Sequence, residues 1–110
     1  MEKDLVIGID SSTTACKAIV WDTAGNLVSQ ARFPVGMQQP HPTWHEQSAE
    51  EWWSACVRVL GNALEGVDSK RLAALCITPQ RETFVPVDRR GAPVRKGIVW
   101  MDARARPLLP

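Results

Sequence analysis

One helical pattern lies between groups of short apolar stretches, and this arrangement restricts the fold more than any other feature. Apolar side chains recur along one helix face of residues 48–64, at Trp52, Cys56, Val59, Leu60 and Ala63. Ser48 predicts the N-cap, Glu51 completes a capping box, and Gly66 predicts the stop. Because a helix between strands permits a crossover connection, a strand after it is expected to run parallel to an earlier one.

Three apolar stretches precede the helix and are separated by short turns. Residues 5–9 form a nearly continuous apolar run, which predicts a central strand buried on both faces. Residues 15–21 and 27–33 predict two further strands, of which the last is more polar. Turns this short favour an antiparallel β-meander.

The segment after the helix predicts one strand and one hairpin. Residues 72–77 indicate a buried strand parallel to an earlier one, and residues 83–88 and 94–100 indicate a β-hairpin around a turn at residues 89–92. The chain is therefore predicted to be α/β, with a mixed sheet built from the meander, one crossover helix, the parallel strand and the hairpin.

Composition excludes several classes of protein. The 110 residues carry a formal net charge of +1, so no broad basic surface favours nucleic acid. No apolar run is long enough for a membrane span, and the mixed-charge N-terminus predicts no targeting segment. Cys16, Cys56 and Cys76 form no CxxC pair, and they are predicted to be buried packing residues in a reducing cytoplasm.

A polar turn joins the first two predicted strands. Asp10 ends the first apolar run, four hydroxyl residues follow at positions 11–14, and Lys17 lies just beyond them. Backbone N–H groups of a tight turn form an anion-binding concavity, and a carboxylate at a strand end can hold Mg²⁺ through water. On these residues alone, a phosphate-binding turn and an ordinary polar hairpin turn both stay open.

Two further polar clusters follow apolar strands. Residues 80–83 (Gln-Arg-Glu-Thr) come after the predicted parallel strand, and the carboxyl end of such a strand is where α/β sheets bind ligands. Trp100 and Asp102 end the predicted hairpin, and an aromatic face beside a carboxylate can hold a sugar. The alternatives are a solvated loop with a local ion pair for the first cluster, and a core tryptophan with a surface Asp102–Arg104 pair for the second.

Four blocks of the sequence together resemble the N-terminal lobe of the FGGY family of carbohydrate kinases, within the actin, Hsp70 and sugar-kinase superfamily. In chain order they read IGIDSSTTACKAIVWDTAGNLV, QPHPTWHEQSAEEWW, LCITPQRETFVPVD and GIVWMDARA. The resemblance implies a ribonuclease-H-like fold. It also implies ATP-dependent phosphorylation of a sugar or polyol hydroxyl with Mg²⁺, in the cytoplasm.

The resemblance assigns the phosphate side of the site to the first turn. It implies that Asp10 works with Mg²⁺ near the ATP phosphates, through water, and that Thr13 and Thr14 are the family's hydroxyl pair. It places Lys17 near the transferred phosphate. Ser12 stands where the family usually has glycine, whose freedom to adopt positive φ allows close backbone approach.

The same resemblance assigns the substrate side to later residues. Arg81 and Glu82 match positions that contact the substrate, and Trp100 and Asp102 fall in a block that lines the same sugar pocket. The Gln-Arg-Glu-Thr cluster is similar to glycerol kinases. The block at residues 41–47 and the Trp-x-Asp-x-Arg ending are similar to xylulose kinases, so a pentulose is the favoured acceptor and glycerol the next.

Residues 1–110 are interpreted as the first part of the first FGGY kinase domain, with a phosphate turn at 8–17 and substrate-side segments at 78–84 and 98–104. The resemblance places the general-base aspartate and the adenosine-binding lobe beyond residue 110. The chain is therefore expected to be an incomplete fragment without its own catalytic residue, inactive alone and prone to self-association. A non-catalytic sugar-binding or assembly module and, less favoured, a ribonuclease-H-like nuclease are the alternatives.

Overall fold

The computed structural model describes residues 2–110. Its strands and main helix are, in chain order, β1 (Leu5–Ser11), β2 (Ala15–Asp22), β3 (Leu27–Pro34), β4 (Glu46–Gln47), α1 (Ala49–Ala63), β5 (Leu72–Thr78) and β6 (Gly97–Ile98). Short 3₁₀ turns at Ser69–Arg71 and Arg106–Leu108 complete the regular structure. Within the described chain, no helix combines the length and the apolar character that crossing a membrane would need.

The main sheet has four strands in the order β3–β2–β1–β5. The β1, β2 and β3 strands pair antiparallel, and β5 pairs parallel with β1, so the predicted meander and crossover are confirmed. Asp10 near the end of β1 stands opposite Lys17 of β2 and Thr78 of β5. The polar turn after β1 and the segment after β5 therefore leave the sheet at the same end.

The core lies between one sheet face and α1. Alternate residues of β1 and β2 turn toward the helix and are buried against it, namely Leu5, Ile7, Ile9, Cys16, Ala18 and Val20. Of the predicted stripe, Val59 and Ala63 are buried, while Cys56 and Leu60 are partly buried. Ala55, outside the predicted stripe, is also buried. Small side chains at positions 55 and 63 let the helix lie close to the sheet.

The capping box predicted for the helix forms only in part. The Ser48 hydroxyl accepts a hydrogen bond from the Glu51 N–H at 3.3 Å, as expected for an N-cap. The Glu51 carboxylate instead accepts from the Gly36 N–H at 2.8 Å. Glu51 thereby ties the loop after β3 to the first turn of the helix, and Gly66 reverses the chain beyond it with φ of 75°.

Several predictions of burial were wrong. The β1 strand is buried on one face only, since Val6 is 43% exposed. Residues 72–77 were predicted to be a buried strand, yet Leu75 and Ile77 are each 49% exposed. The reason is that α1 packs mainly over β2 and β3, while β5 is an edge strand. Cys76 on β5 is consequently exposed, and only Cys16 of the three cysteines is fully buried.

The predicted hairpin is irregular. The two predicted strands, residues 83–88 and 94–100, form no continuous ladder. Phe84 makes an isolated bridge with Ile98, and Val87 makes another with Pro93, just before the second predicted strand. Pro86 and Pro93 have no backbone N–H to donate, which interrupts the pairing. Gly97–Ile98 pair instead with Glu46–Gln47, and this small second sheet fixes the segment that ends at Trp100.

Candidate functional site

The turn between β1 and β2 closes through Ser12. Both its backbone N–H and its hydroxyl donate to the Ala15 carbonyl, at 3.0 and 2.8 Å. Among the described non-glycine residues, only Glu82 has a positive φ. Serine at the position of the usual glycine is therefore accommodated with ordinary backbone geometry. Two residues further on, the Thr14 side chain is exposed, and the backbone carbonyl of Thr14 accepts a hydrogen bond from the Val35 N–H at 3.0 Å.

Asp10 and Lys17 lie on the sheet face that α1 leaves open. They are exposed cross-strand neighbours and line a hollow of about 320 Å³ together with Thr78. No ion pair in the described part of the chain involves either side chain. The hollow therefore presents a carboxylate and an ammonium group side by side, with Gly8 leaving room beneath them.

Three of the predicted substrate-side residues gather around one hollow, two from the segment after β5 and one from the segment after β6. Arg81, Glu82 and Trp100 are exposed and line a hollow of about 270 Å³. Glu82 has φ of 64°, a left-handed conformation that costs a non-glycine residue about 1–2 kcal/mol. Strain of this kind persists where the surrounding structure fixes it, and it is frequent at ligand sites.

A tryptophan connects the two sides of the site. The Trp100 indole Nε1 donates to the Thr13 hydroxyl at 2.9 Å, across 87 residues of sequence. Its backbone N–H donates to the Thr83 hydroxyl at 3.0 Å. The indole is nevertheless 54% exposed, so part of its surface can meet a ligand. The polar turn and the substrate-side hollow thus share a wall.

Asp102 does not join this group. Its carboxylate accepts from the His45 N–H at 2.8 Å and from the Arg104 guanidinium, and its side chain is only 4% exposed. Arg104 also donates to Glu46 at 2.7 Å and stacks over the Trp44 ring. The Asp102–Arg104 pair that the sequence left open is present, and it anchors the loop that carries Trp100. It is not on the surface as that alternative had it, since the Asp102 side chain is largely buried, and Trp100 is exposed instead of in the core.

Sequence patterns missed Gln47 behind the site, whereas Gln80 and Thr83 fall in the polar cluster predicted at residues 80–83. Gln47 is 1% exposed and donates to the Thr13 carbonyl at 2.6 Å. Gln80 contacts Gln47 at 2.9 Å and accepts from the Thr83 hydroxyl. These residues sit in loops and in a two-residue strand, where no periodicity marks a buried side chain. The one feature of the sequence that could have drawn attention to Gln47 is its place directly before the N-cap, Ser48.

Both sides of this site fall within a single family match. The profile of the FGGY family of carbohydrate kinases, N-terminal domain, matches residues 5–109. The chain belongs to the FGGY family of carbohydrate kinases. The matched FGGY region contains the whole main sheet, the polar turn and the substrate-side hollow.

Several curated relatives of this chain are glycerol kinases. The glycerol kinase of Halorhodospira halophila is 40% identical over 111 residues, covering 98% of this chain and 22% of the relative. The glycerol kinase of Leifsonia xyli subsp. xyli is 38% identical over 109 residues, with 96% and 22% covered. The chain therefore spans about a fifth of the length of the curated relatives it matches.

Solved FGGY structures share the fold. The xylulose kinase from Rhodospirillum rubrum superposes with a TM-score of 0.85 at 30% identity, covering 92% of this chain and 21% of that protein. The glycerol kinase from Plasmodium falciparum, solved with ADP, gives 0.84 at 25% identity, with 97% and 22% covered. These matches confirm the predicted sugar-kinase fold of the actin and Hsp70 superfamily, with a mixed sheet and one helix.

The Asp102 anchor leads to a prediction about acid stability. The Arg104 guanidinium holds the pKa of the Asp102 carboxyl well below its ordinary value of 3.8. A carboxyl with a lowered folded-state pKa stabilises the protein fully above its unfolded pKa, and this contribution is lost as the pH falls through the folded value. We expect Asp102→Asn to lower the free energy of unfolding by about 2 kcal/mol at pH 7, less than full removal of a buried ion-pair partner.

Urea unfolding from about pH 7 to about pH 2 measures this contribution. The difference in free energy of unfolding between the unsubstituted chain and Asp102→Asn should narrow below about pH 4. At such pH the Asp102 carboxyl takes up a proton in the unfolded state but not yet in the folded state, which favours unfolding of the unsubstituted chain. Asp88→Asn is the matched control, since Asp88 is exposed and uses Oδ1 to accept N–H groups that asparagine can also accept. Equal losses of free energy of unfolding in Asp102→Asn and Asp88→Asn would contradict the role of Asp102 as an anchor of its loop.

Proposed function

We propose that this chain forms the part of an ATP-dependent carbohydrate kinase that holds the ATP phosphates and the sugar or polyol acceptor. The 2.9 Å bond from Trp100 Nε1 to Thr13 Oγ1 supports this most directly, because it joins the predicted phosphate side to the predicted acceptor side. Phosphoryl transfer needs the two substrates to be aligned and their charge to be neutralised more than it needs covalent chemistry.

The phosphate side would be built on the β1–β2 turn. Asp10 would hold Mg²⁺ through its waters, and Lys17 would contact the transferred phosphate, while Ser12, Thr13 and Thr14 would surround the phosphate chain. Mg²⁺, when bound, neutralises phosphate charge. An exposed carboxylate outside any ion pair fits this use, because Mg²⁺ typically takes one or two carboxylates plus phosphate oxygens and water.

The acceptor side would be built on Arg81, Glu82 and Trp100. The guanidinium offers donors and the carboxylate offers acceptors to neighbouring hydroxyls of a polyol. The Trp100 ring would pack against the C–H face of the sugar. Asp102 would act on this side only indirectly, by fixing the loop that carries Trp100.

The choice of acceptor lies between a pentulose such as xylulose and glycerol. The block at residues 41–47 and the Trp-x-Asp-x-Arg ending favour the pentulose, whereas the curated relatives named above are glycerol kinases. A cytoplasmic location fits an enzyme that uses ATP and carries three free cysteines. A nuclease is disfavoured, because no cluster of three or more potential metal ligands occurs within residues 2–110.

Grafting tests this proposal. The chain would replace the matching segment of the Halorhodospira halophila glycerol kinase in one hybrid and of the Rhodospirillum rubrum xylulose kinase in another. We expect Mg-ATP-dependent phosphorylation in at least one hybrid, and the more active hybrid identifies the acceptor class. The 110-residue chain alone should show no turnover, because it spans only 22% of such relatives. Two folded but inactive hybrids would favour the non-catalytic module and contradict the proposal.

The open edge of the sheet leads to a second prediction. Leu75 and Ile77 are each 49% exposed on β5, whose outer edge is unpaired within the described chain. Exposed apolar side chains beside a free strand edge favour pairing with another copy. We expect the 110-residue chain to self-associate at micromolar concentration, as sedimentation velocity would detect. Leu75→Lys with Ile77→Lys should restore the monomer, whereas Val57→Lys on the exposed side of α1 should not.

A further inference from the structure

The buried amide of Gln47 is hydrogen-bonded to four separate groups. Its Nε2 donates to the carbonyls of Thr13 at 2.6 Å and Gly36 at 2.9 Å. Its Oε1 accepts from Trp52 Nε1 and from Gln80 Nε2, both at 2.9 Å. A carbonyl can only accept and an indole N–H can only donate, so these partners fix which way the amide points.

This amide belongs to a closed circuit of hydrogen bonds. The Gln80 side-chain oxygen accepts from the Thr83 hydroxyl at 2.8 Å, and the Thr83 oxygen accepts from the Trp100 N–H at 3.0 Å. The Trp100 indole returns to Thr13 at 2.9 Å. The circuit therefore runs from Thr13 through Gln47, Gln80 and Thr83 to Trp100 and back, over four separate segments of the chain.

The circuit joins the two halves of the candidate site from behind. Thr13 belongs to the polar turn, and Gln80 directly precedes Arg81 and Glu82. Gln47 itself lines neither the Asp10 hollow nor the Arg81 hollow, and it is 1% exposed. The hydrogen bonds of the Gln47 amide are part-buried, whereas the two bonds made by Trp100 are exposed. Because an unpaired buried polar group is costly, the Gln47 amide is the member of the circuit that most firmly holds its partners, Thr13 and Gln80, in place.

We propose that Gln47 is a positioning residue that sets the separation between the phosphate turn and the acceptor-binding residues. This inference rests on the function proposed above. Gln47 acts through Thr13 on one side and through Gln80 on the other, without touching either substrate. Because a misplacement of about 1 Å can cost about a hundredfold in rate, a loosened circuit slows phosphoryl transfer more than it weakens either substrate's binding.

Two substitutions separate the roles of the amide. Gln47→Leu removes all of its hydrogen bonds. Gln47→Glu keeps the length and the acceptor for Trp52 and Gln80, but it turns a carboxylate oxygen toward the Thr13 carbonyl. The matched controls are Gln39→Leu and Gln39→Glu, because Gln39 is exposed and donates only to the Pro42 carbonyl, at 2.8 Å.

Kinetics of the more active of the two kinase hybrids provide the first readout. We expect both Gln47 variants to lower kcat about 10- to 100-fold, with KM for ATP and for the acceptor changed less than about threefold. Both Gln39 variants should match the unsubstituted hybrid. A rise in KM with unchanged kcat, or equal kcat in the Gln47 and Gln39 variants, would overturn the positioning role. Thermal unfolding shows whether each Gln47 variant is folded. If one of the two fails to fold, the kinetics of the other decide whether Gln47 has the positioning role.

Nuclear magnetic resonance of the 110-residue chain, carrying Leu75→Lys and Ile77→Lys in every sample so that it stays monomeric, provides the second readout, which does not need activity. Gln47→Glu should move the Trp100 indole N–H resonance and the amide resonances of residues 80–83, as well as that of Thr13, by more than Gln39→Glu moves them. Shifts confined to Gly36 and Trp52 would overturn the coupling between the two halves. If the unsubstituted hybrids showed no turnover, that result would contradict only the proposed function. The spectra of the 110-residue chain would still test whether Gln47 couples the two halves of the site.

Discussion

Asp10→Asn in an active kinase hybrid is expected to lower kcat by about 10²- to 10³-fold, the magnitude typical of losing one preorganised charge-stabilising group. The carboxylate is exposed on the open sheet face and takes part in no ion pair within the described chain. Asparagine keeps the size and one oxygen, so the turn between β1 and β2 should be preserved. The loss would therefore measure the charge that Asp10 is proposed to contribute to holding Mg²⁺ and the phosphates.

The acceptor should respond differently from the phosphates. Asp10→Asn is expected to leave the acceptor KM within about threefold, whereas Arg81→Ala should raise that KM at least tenfold with a smaller change in kcat. Steady-state kinetics with Mg-ATP and acceptor varied separately provide both values. Asp88→Asn is the control for Asp10, since Asp88 lies in an exposed turn far along the chain. If Asp10→Asn and Arg81→Ala had equal effects on the acceptor KM, the division into two sides would be wrong.

Local patterns predicted the elements of the fold well. The antiparallel meander follows from three apolar stretches with turns too short for any other connection, and the parallel strand follows from the helix before it. Burial was harder to predict, because it depends on what covers each strand. Leu75 and Ile77 are as apolar as Ile7 and Ile9, but α1 packs over β2 and β3 and leaves β5 at the edge.

For the candidate site, too, local patterns predicted some residues correctly and failed for others that depend on tertiary contacts. Arg81, Glu82 and Trp100 were predicted from their place after apolar strands, and the structure gathers them around one hollow. Asp102 carried the same sequence signal, yet its carboxylate is occupied by Arg104 and by the His45 N–H, 57 residues away in the chain. The Arg104 partner was already an open alternative in the sequence, because it lies two residues away. The His45 N–H is brought to Asp102 only by the tertiary fold, so spacing along the sequence could not predict it.

Packing around the hydrogen-bond circuit makes Gly97 intolerant of any side chain. It is buried in β6, and a Cβ there would lie 2.5 Å from Trp52 Cη2 and 3.2 Å from the Phe84 carbonyl oxygen. The Trp52 ring cannot simply turn away, because its Nε1 donates to Gln47 Oε1 at 2.9 Å. We expect Gly97→Ala to lower the free energy of unfolding by about 3 kcal/mol, toward the upper end of overpacking costs.

Gly61→Ala is the control, and it is expected to change the free energy of unfolding in the opposite direction from Gly97→Ala. Gly61 lies on the exposed side of α1, and a Cβ there meets no atom within 4 Å. Alanine inside a helix should stabilise the chain by about 0.5–1 kcal/mol relative to glycine. Urea unfolding of both variants tests the pair, and two small changes of the same sign would contradict the close approach of Trp52.

A double substitution locates the cause of the Gly97 effect. Phenylalanine lacks the Cη2 and Cζ2 atoms that a Cβ at position 97 would meet, at 2.5 and 3.2 Å. Trp52→Phe is itself destabilising, because it removes packing and leaves Gln47 Oε1 without the indole donor. Adding Gly97→Ala to Trp52→Phe should nevertheless cost less than adding it to the unsubstituted chain, as a double-mutant cycle would show. Additive losses would mean that the strain at Gly97 comes from the Phe84 carbonyl and not from the tryptophan.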